Sequence, residues 1–187
     1  MLTSFENIPL IGVTAPSGSG KTTLLTAVFP CLKKMGLRIG AVKHTHHSFE
    51  IDQPGKDSYR LRQAGADQML LGSAERWALI VEHGDDPAAE PGLTELLSKL
   101  DTSKLDVIFV EGFKLEQLPK IEIHRLELGE YSLAENATNI IAVASNDRKL
   151  RLPDIPVLDI DNPQQVSDFV LKYVDNVRGF RHDKTHA

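Results

Sequence analysis

The chain has 187 residues, 41% of them hydrophobic and 25% charged, with a net charge of −5. That length buries one good core and not comfortably two, so a single domain over 1–177 is expected, with a frayed polar tail over 178–187. The negative balance argues against a general nucleic-acid binder, and the single cysteine, Cys31, excludes an internal disulfide or a multi-cysteine zinc site. Cys31 falls among helical apolar positions and is expected to be buried. MLTSFENIPL at the start lacks the basic and apolar parts of a signal peptide, and no apolar run reaches membrane-spanning length. A cytoplasmic protein with no membrane partner is therefore expected.

Ile8–Val13 is an apolar run that predicts a buried strand. APSGSGKT follows at 15–22, and from Leu24 onward Leu24, Val28, Leu32 and Met35 fall at helical spacing. Strand, glycine loop, Lys-Thr and helix together are the setting of a phosphate-binding loop. Gly18 and Gly20 let backbone N–H groups turn inward, and the helix start adds its own donors. Ser17, Gly18, Ser19, Gly20, Lys21, Thr22 and Thr23 are thus the candidate nucleotide-binding residues. Lys21 reaches outer phosphates, which makes it a candidate catalytic residue, and the Thr22 hydroxyl suits Mg²⁺. Pro30 predicts a kink in this helix and Gly36 its end.

Leu37–Lys43 is a second strand, parallel to the first by the length of the crossover. Ligands in such sheets bind beyond the carboxyl ends of the strands, which brings His44, His46 and His47 to the edge that carries the glycine loop. These imidazoles suit Zn or Ni, or a phosphate or substrate contact; with no thiolate beside them the second is favoured. Asp52, on the following polar loop, is a candidate to orient an attacking water or a metal-bound water, or else a solvated turn residue. Asp57 or Ser58 starts a short helix through Ala64. Gln68–Leu71 and Trp77–Val81 read as a hairpin, with Trp77 in packing or a subunit interface. Glu82–Gly92 is an exposed connection, Leu93–Leu100 a helix and Asp101–Lys104 a turn.

Leu105–Val110 is a strongly apolar strand closed by Glu111, a carboxylate placed to hold Mg²⁺ directly or through water. Lys120–Leu126 alternates, which predicts one wet face and a place toward the sheet's margin. Gly129–Thr138 is a loop or short helix and Asn139–Ala144 a strand. Asp147, in the polar turn after it, can accept two hydrogen bonds from the edge of guanine, which adenine cannot offer; an ordinary turn role is the alternative. Val157–Ile160 is a short strand, and Asn162-Pro163 opens a last helix with Val166, Phe169, Val170 and Val174 inward. The expected fold is α/β: a phosphate-loop NTPase with a mainly parallel sheet flanked by helices and an added β-hairpin in the middle of the chain.

SGSGKTTLL (17–25), VKHTHH (42–47), PGKDSYRLRQAGA (54–66), RWAL (76–79), DTSKLDVIFVEGFK (101–114), PKIEIHR (119–125) and IAVAS (141–145) occur in this order along nearly the whole chain. In these segments the chain resembles the MobB family, the GTP-binding proteins of molybdopterin guanine dinucleotide biosynthesis. The resemblance implies a weakly hydrolysing GTPase that uses GTP and Mg²⁺. Gly18–Thr23 would lie on the phosphates, with Thr22 and Glu111 on Mg²⁺ and Asp52 a third metal candidate. It also implies a homodimer with mid-chain strands at the interface, and a task beside the guanylyltransferase that joins GMP to molybdopterin, the pterin itself being a further candidate ligand. The chain departs from the wider pattern in three places. Ala15 stands for the loop's first glycine. Pro16 stands where some relatives carry a lysine that acts across a dimer. Ser145-Asn146-Asp147-Arg148 stands for the guanine-reading Asn-Lys-x-Asp. Two other readings fit the same loop: a small-molecule kinase, with Arg148–Arg151 as its short basic cluster, and a Ni or Zn metallochaperone GTPase built on the histidines.

Overall fold

The computed structural model describes residues 1–45, 49–83, 90–128 and 139–182. Two units are present, Met1–His44 with Leu93–Ala187, and Thr45–Gly92. In the larger unit the strands are β1 (Ser4–Phe5), β2 (Ile8–Thr14) and β3 (Ile39–Lys43), and after the smaller unit, whose strands are β4 (Gln68–Gly72) and β5 (Trp77–Val81), β6 (Val107–Glu111), β7 (Lys120–His124), β8 (Ile140–Ser145) and β9 (Val157–Asp159). The helices are α1 (Lys21–Lys34), α2 (Asp57–Gln63), α3 (Leu93–Leu97) and α4 (Pro163–His182).

The main sheet runs β3-β6-β2-β7-β8-β9, with every pair along it parallel and β1 added antiparallel to β2. Helices cover both faces, as an all-parallel sheet requires. On one face Leu24, Val28 and Leu32 of α1 and Val166, Val170 and Val174 of α4 pack on Ile11, Val13, Phe109, Ile121 and Ile123. On the other, Leu93 and Leu97 of α3 meet Leu10, Val42, Ile108 and Val110. Cys31, expected inside, is only partly buried, because it lies off the Leu24–Val28–Leu32 stripe.

The expected fold class is the observed one, with corrections to single elements. β7 is not marginal: it lies between β2 and β8, and all five of its residues are buried. Its polar residues are paired instead of wet. Lys120 Nζ donates to the Lys114 carbonyl at 2.6 Å, and His124 Nδ1 lies 2.8 Å from Ser145 Oγ. Gly12 makes room for Lys120, since a Cβ there would stand 2.7 Å from its Cγ. The sheet's margins are β3 and β9. β1 was not expected from the sequence; it folds back on β2 through Glu6 and Asn7, both in the left-handed region at φ 46° and 71°. Successive positive φ values suit the twist of a tight hairpin. α4 runs on to His182, past the expected start of fraying, and Arg178 donates to Asp106 at 2.9 Å.

The smaller unit holds α2 and the antiparallel hairpin β4–β5, which pairs Gln68 with Val81 and Gly72 with Trp77. Arg62 organises it. The guanidinium is buried, donating to Glu82 and, at 2.5 Å, to Glu50, with Asp52 Oδ2 at 3.5 Å from Nε and the Tyr59 ring beneath. The segment expected as loop or short helix at 129–138 lies outside the described residues.

Candidate phosphate-binding site

β2 ends at Thr14 in the interior of the sheet, with β6 on one side and β7 on the other. A parallel sheet binds ligands at such a carboxyl end, where the strand order turns. The chain leaves β2 through 15–20 and enters α1 at Lys21. Gly18 and Gly20 sit at φ 77° and 91°, the left-handed conformation in which a side chain is strained. Gly20 is the N-cap of α1 and contributes no side-chain cap, so the first N–H groups of the helix keep their donors for an anion. Ser19 is buried and donates from Oγ to the Pro16 carbonyl at 2.9 Å, which closes the loop on itself. Ser17, Gly18, Thr22 and Thr23 are exposed around it.

Lys21 Nζ lies back over the loop, donating to the carbonyls of Ala15 at 3.2 Å and Pro16 at 2.9 Å. Burial pushes its pKa down, and the Glu111 carboxylate pulls it back up. These bonds to neutral carbonyls are ones that a phosphate would outcompete. The β2–β6 register pairs Val13 with Glu111, so the carboxylate stands at the mouth of the loop. Glu111 lies 3.7 Å from Lys43 and is mostly covered. A cleft of about 50 Å³ runs from Thr14 and Lys21 past Glu111 to Lys114 and Lys120. A phosphate needs amide donors and a cation, and a divalent ion needs a hydroxyl and a carboxylate. Both sets are present, so the donors fit a magnesium–phosphate group.

His44 belongs to this edge by its backbone: its N–H donates to the Glu111 carbonyl at 2.8 Å. Its ring packs on Phe113, 4.7 Å between centroids. His46 and His47 lie outside the described residues. Asp52 belongs to the smaller unit, where Oδ1 accepts from Ser58 Oγ at 2.9 Å and from the Gln53 N–H at 2.8 Å. Among the described residues no group of three His, Cys, Asp or Glu side chains is placed to hold a metal ion.

Beyond β7, the ends of β8 and β9 border a second cleft of about 640 Å³, lined by Ser145, Asp147, Arg148, Asp159 and Gln165 among others. Asp147 Oδ1 accepts from the Lys149 N–H at 2.8 Å. Asn146 is committed elsewhere, accepting from the Leu126 N–H at 3.0 Å and donating to Glu127 at 2.8 Å. Of the two, Asp147 is the one that faces this cleft. Arg151 curls onto its own turn, donating to the Arg148 and Leu150 carbonyls.

Arg125 is the residue that sequence reasoning missed. It follows β7 directly, and its Nε donates to the Ser19 carbonyl at 3.4 Å. The signal was its place at the end of a strand, hidden by assigning that strand to the margin.

The family model described as "Molybdopterin guanine dinucleotide synthesis protein B" (MobB) matches residues 10–146. The chain is 46% identical over 175 residues to the molybdopterin-guanine dinucleotide biosynthesis adapter protein of Escherichia coli (strain K12), covering 92% of this chain and 97% of that one. It is 39% identical over 177 residues to the adapter protein of Haemophilus influenzae, covering 94% and 95%. The crystal structure of Bacillus subtilis MobB superposes with a TM-score of 0.69 at 26% identity, over 89% of this chain and 98% of that one.

Proposed function

The chain belongs to the MobB family of molybdopterin guanine dinucleotide biosynthesis adapter proteins, and from that premise we propose that it binds GTP with magnesium at the loop 15–22. In this reading it assists, as a slow GTPase and a cytoplasmic homodimer, the enzyme that attaches GMP to molybdopterin. The observation that carries the reading is the pairing of β2 with β6, which sets the Glu111 carboxylate beside Lys21 and the loop. Backbone N–H groups of 17–23 take the phosphates, and Lys21 moves from the Ala15 and Pro16 carbonyls to the outer ones. Thr22 and Glu111 would hold the magnesium ion; when bound, the ion neutralises phosphate charge. Asp147 reads the base from the second cleft. Slow turnover is expected because Pro16 supplies no lysine in trans and Arg62 is already spent on Glu50 and Glu82. Fast phosphoryl transfer generally needs such an added cation. The homodimer rests on the hairpin face that carries Leu70, Trp77 and Leu79, all exposed.

Titration of GTP and ATP into wild type, Lys21→Ala and Asp147→Asn tests this. Lys21→Ala should fold normally and bind GTP on the order of 100-fold more weakly, since charge-assisted contacts to phosphate are lost. Asp147→Asn should erase most of the preference for GTP over ATP. Affinity within a few-fold of wild type in Lys21→Ala would move the phosphate away from this loop.

A further inference from the structure

Arg125 follows β7, the strand between the loop strand β2 and β8. We propose that its guanidinium is the platform on which the nucleoside of the bound nucleotide rests, a role that depends on the GTP reading above. Three observations place it there. First, the sheet order puts β6 with Glu111 on one side of the loop strand and β7, β8 and β9 on the other. In the GTP reading the metal belongs to the first side, with Glu111, and the base to the second, with Asp147. Arg125 follows β7 and Asp147 follows β8, with His124 paired to Ser145 just before them. Neighbouring parallel strands lie about 4.8 Å apart, so the two residues leave the sheet from adjacent strands at the same edge.

Second, Arg125 meets the loop from its carbonyl side. Nε donates to the Ser19 carbonyl at 3.4 Å, and Nη2 lies 3.5 Å from where a Cβ on Gly20 would stand. The phosphate cradle is built from N–H groups of the loop, and Arg125 reaches that loop from β7 and is also tied to Asp161. Third, Nη1 is 3.7 Å from Asp161 Oδ1, just before α4, and the Arg125 side chain is 27% exposed. The plane is thus strung between the loop and α4, with part of it open and its charge partly balanced. A planar, weakly hydrated cation held at both ends suits stacking on a base and hydrogen bonding to ribose. The loop region 145–148 lacks the lysine of the wider guanine-reading pattern, and Arg125 supplies a cation from the adjacent strand.

The test is calorimetric binding of GTP, GDP and inorganic tripolyphosphate to wild type, Arg125→Ala and Arg125→Lys. Arg125→Ala should weaken GTP and GDP by the same factor, about 10-fold, while tripolyphosphate binds as before, because stacking energy is lost and the amide cradle is not. Arg125→Lys should recover only part of the loss, since it keeps the charge without the plane. Retained tripolyphosphate binding also certifies that the variant is folded. Equal loss of tripolyphosphate would make Arg125 a mere brace of the loop and overturn the proposal, while leaving the phosphate reading intact. A loss confined to GTP, or no loss at all, would also overturn it. Wild type binding neither GTP nor tripolyphosphate would bring down the GTP reading itself.

Discussion

Gly112 shows how little room the site leaves at a single residue. It follows Glu111 at φ 110°, and a Cβ there would stand 2.7 Å from the Cβ of His44 and 2.8 Å from its carbonyl oxygen. The obstacle is partly backbone, and it is fixed in place because the His44 N–H is bonded to the Glu111 carbonyl at 2.8 Å. A side chain would therefore push apart the ends of β3 and β6 while adopting a strained φ. Gly112→Ala should lower stability by about 2–4 kcal/mol, the sum of backbone strain and overpacking. Urea denaturation checks this, and a midpoint equal to wild type would show that the two strand ends are loosely held. Gly18 offers the contrast: nothing lies within 4 Å of its added Cβ, so its glycine serves loop conformation alone.

At the scale of elements, Asp106 ties three of them together just before β6. It accepts from the Arg38 N–H at 2.8 Å, from Arg38 Nε at 2.9 Å and from Arg178 Nη2 at 2.9 Å, joining the approach to β3 with α4. These donors, Arg38 above all, hold its carboxyl well below the usual carboxylate range. A folded-state pKa below the unfolded value, about 3.9, means stability that is full above that pH and lost as pH falls through the folded value. Asp106→Asn should thus cost about 1–2 kcal/mol at pH 7, kept modest because its arginine partners are partly solvated. The gap between wild type and variant should close as pH falls below 4; thermal melts from pH 7 to pH 2 measure it. A gap independent of pH would mean the aspartate matters by shape only. Elements specified by local pattern were legible: β2, the glycine loop, α1 and the β4–β5 hairpin each carry their signal within a dozen residues. β7 was not, because alternation does not say whether a polar side chain meets water or a partner; Lys120 and His124 meet Lys114 and Ser145. Arg125 went unseen with it. Nor was β1, whose turn is made by Glu6 and Asn7 without the glycine that marks such hairpins.

For the whole molecule, the exposed apolar surface of the hairpin has to be accounted for. Leu70 is 64% exposed, Trp77 67% and Leu79 44%. Leu70 pairs with Leu79 and Gly72 with Trp77, so the strand pleat puts all three on one face. Met69, Leu71 and Ile80, on the opposite face, are partly buried. A two-stranded hairpin is marginal on its own, and an apolar face of this kind usually marks an interaction site. In a homodimer built on this face, Leu79→Glu would set a carboxylate directly opposite Leu70 and bury it against the second copy. An unpaired charge in such a place costs several kcal/mol, enough to dissociate a dimer of ordinary affinity. Sedimentation equilibrium should therefore give a dimer mass for wild type and a monomer mass for Leu79→Glu at the same concentration. The variant should still bind GTP, because Lys21, Thr22 and Glu111 all belong to the other unit. A variant that stays dimeric would move the interface off the hairpin, and one that also lost GTP would tie the phosphate site to the second copy.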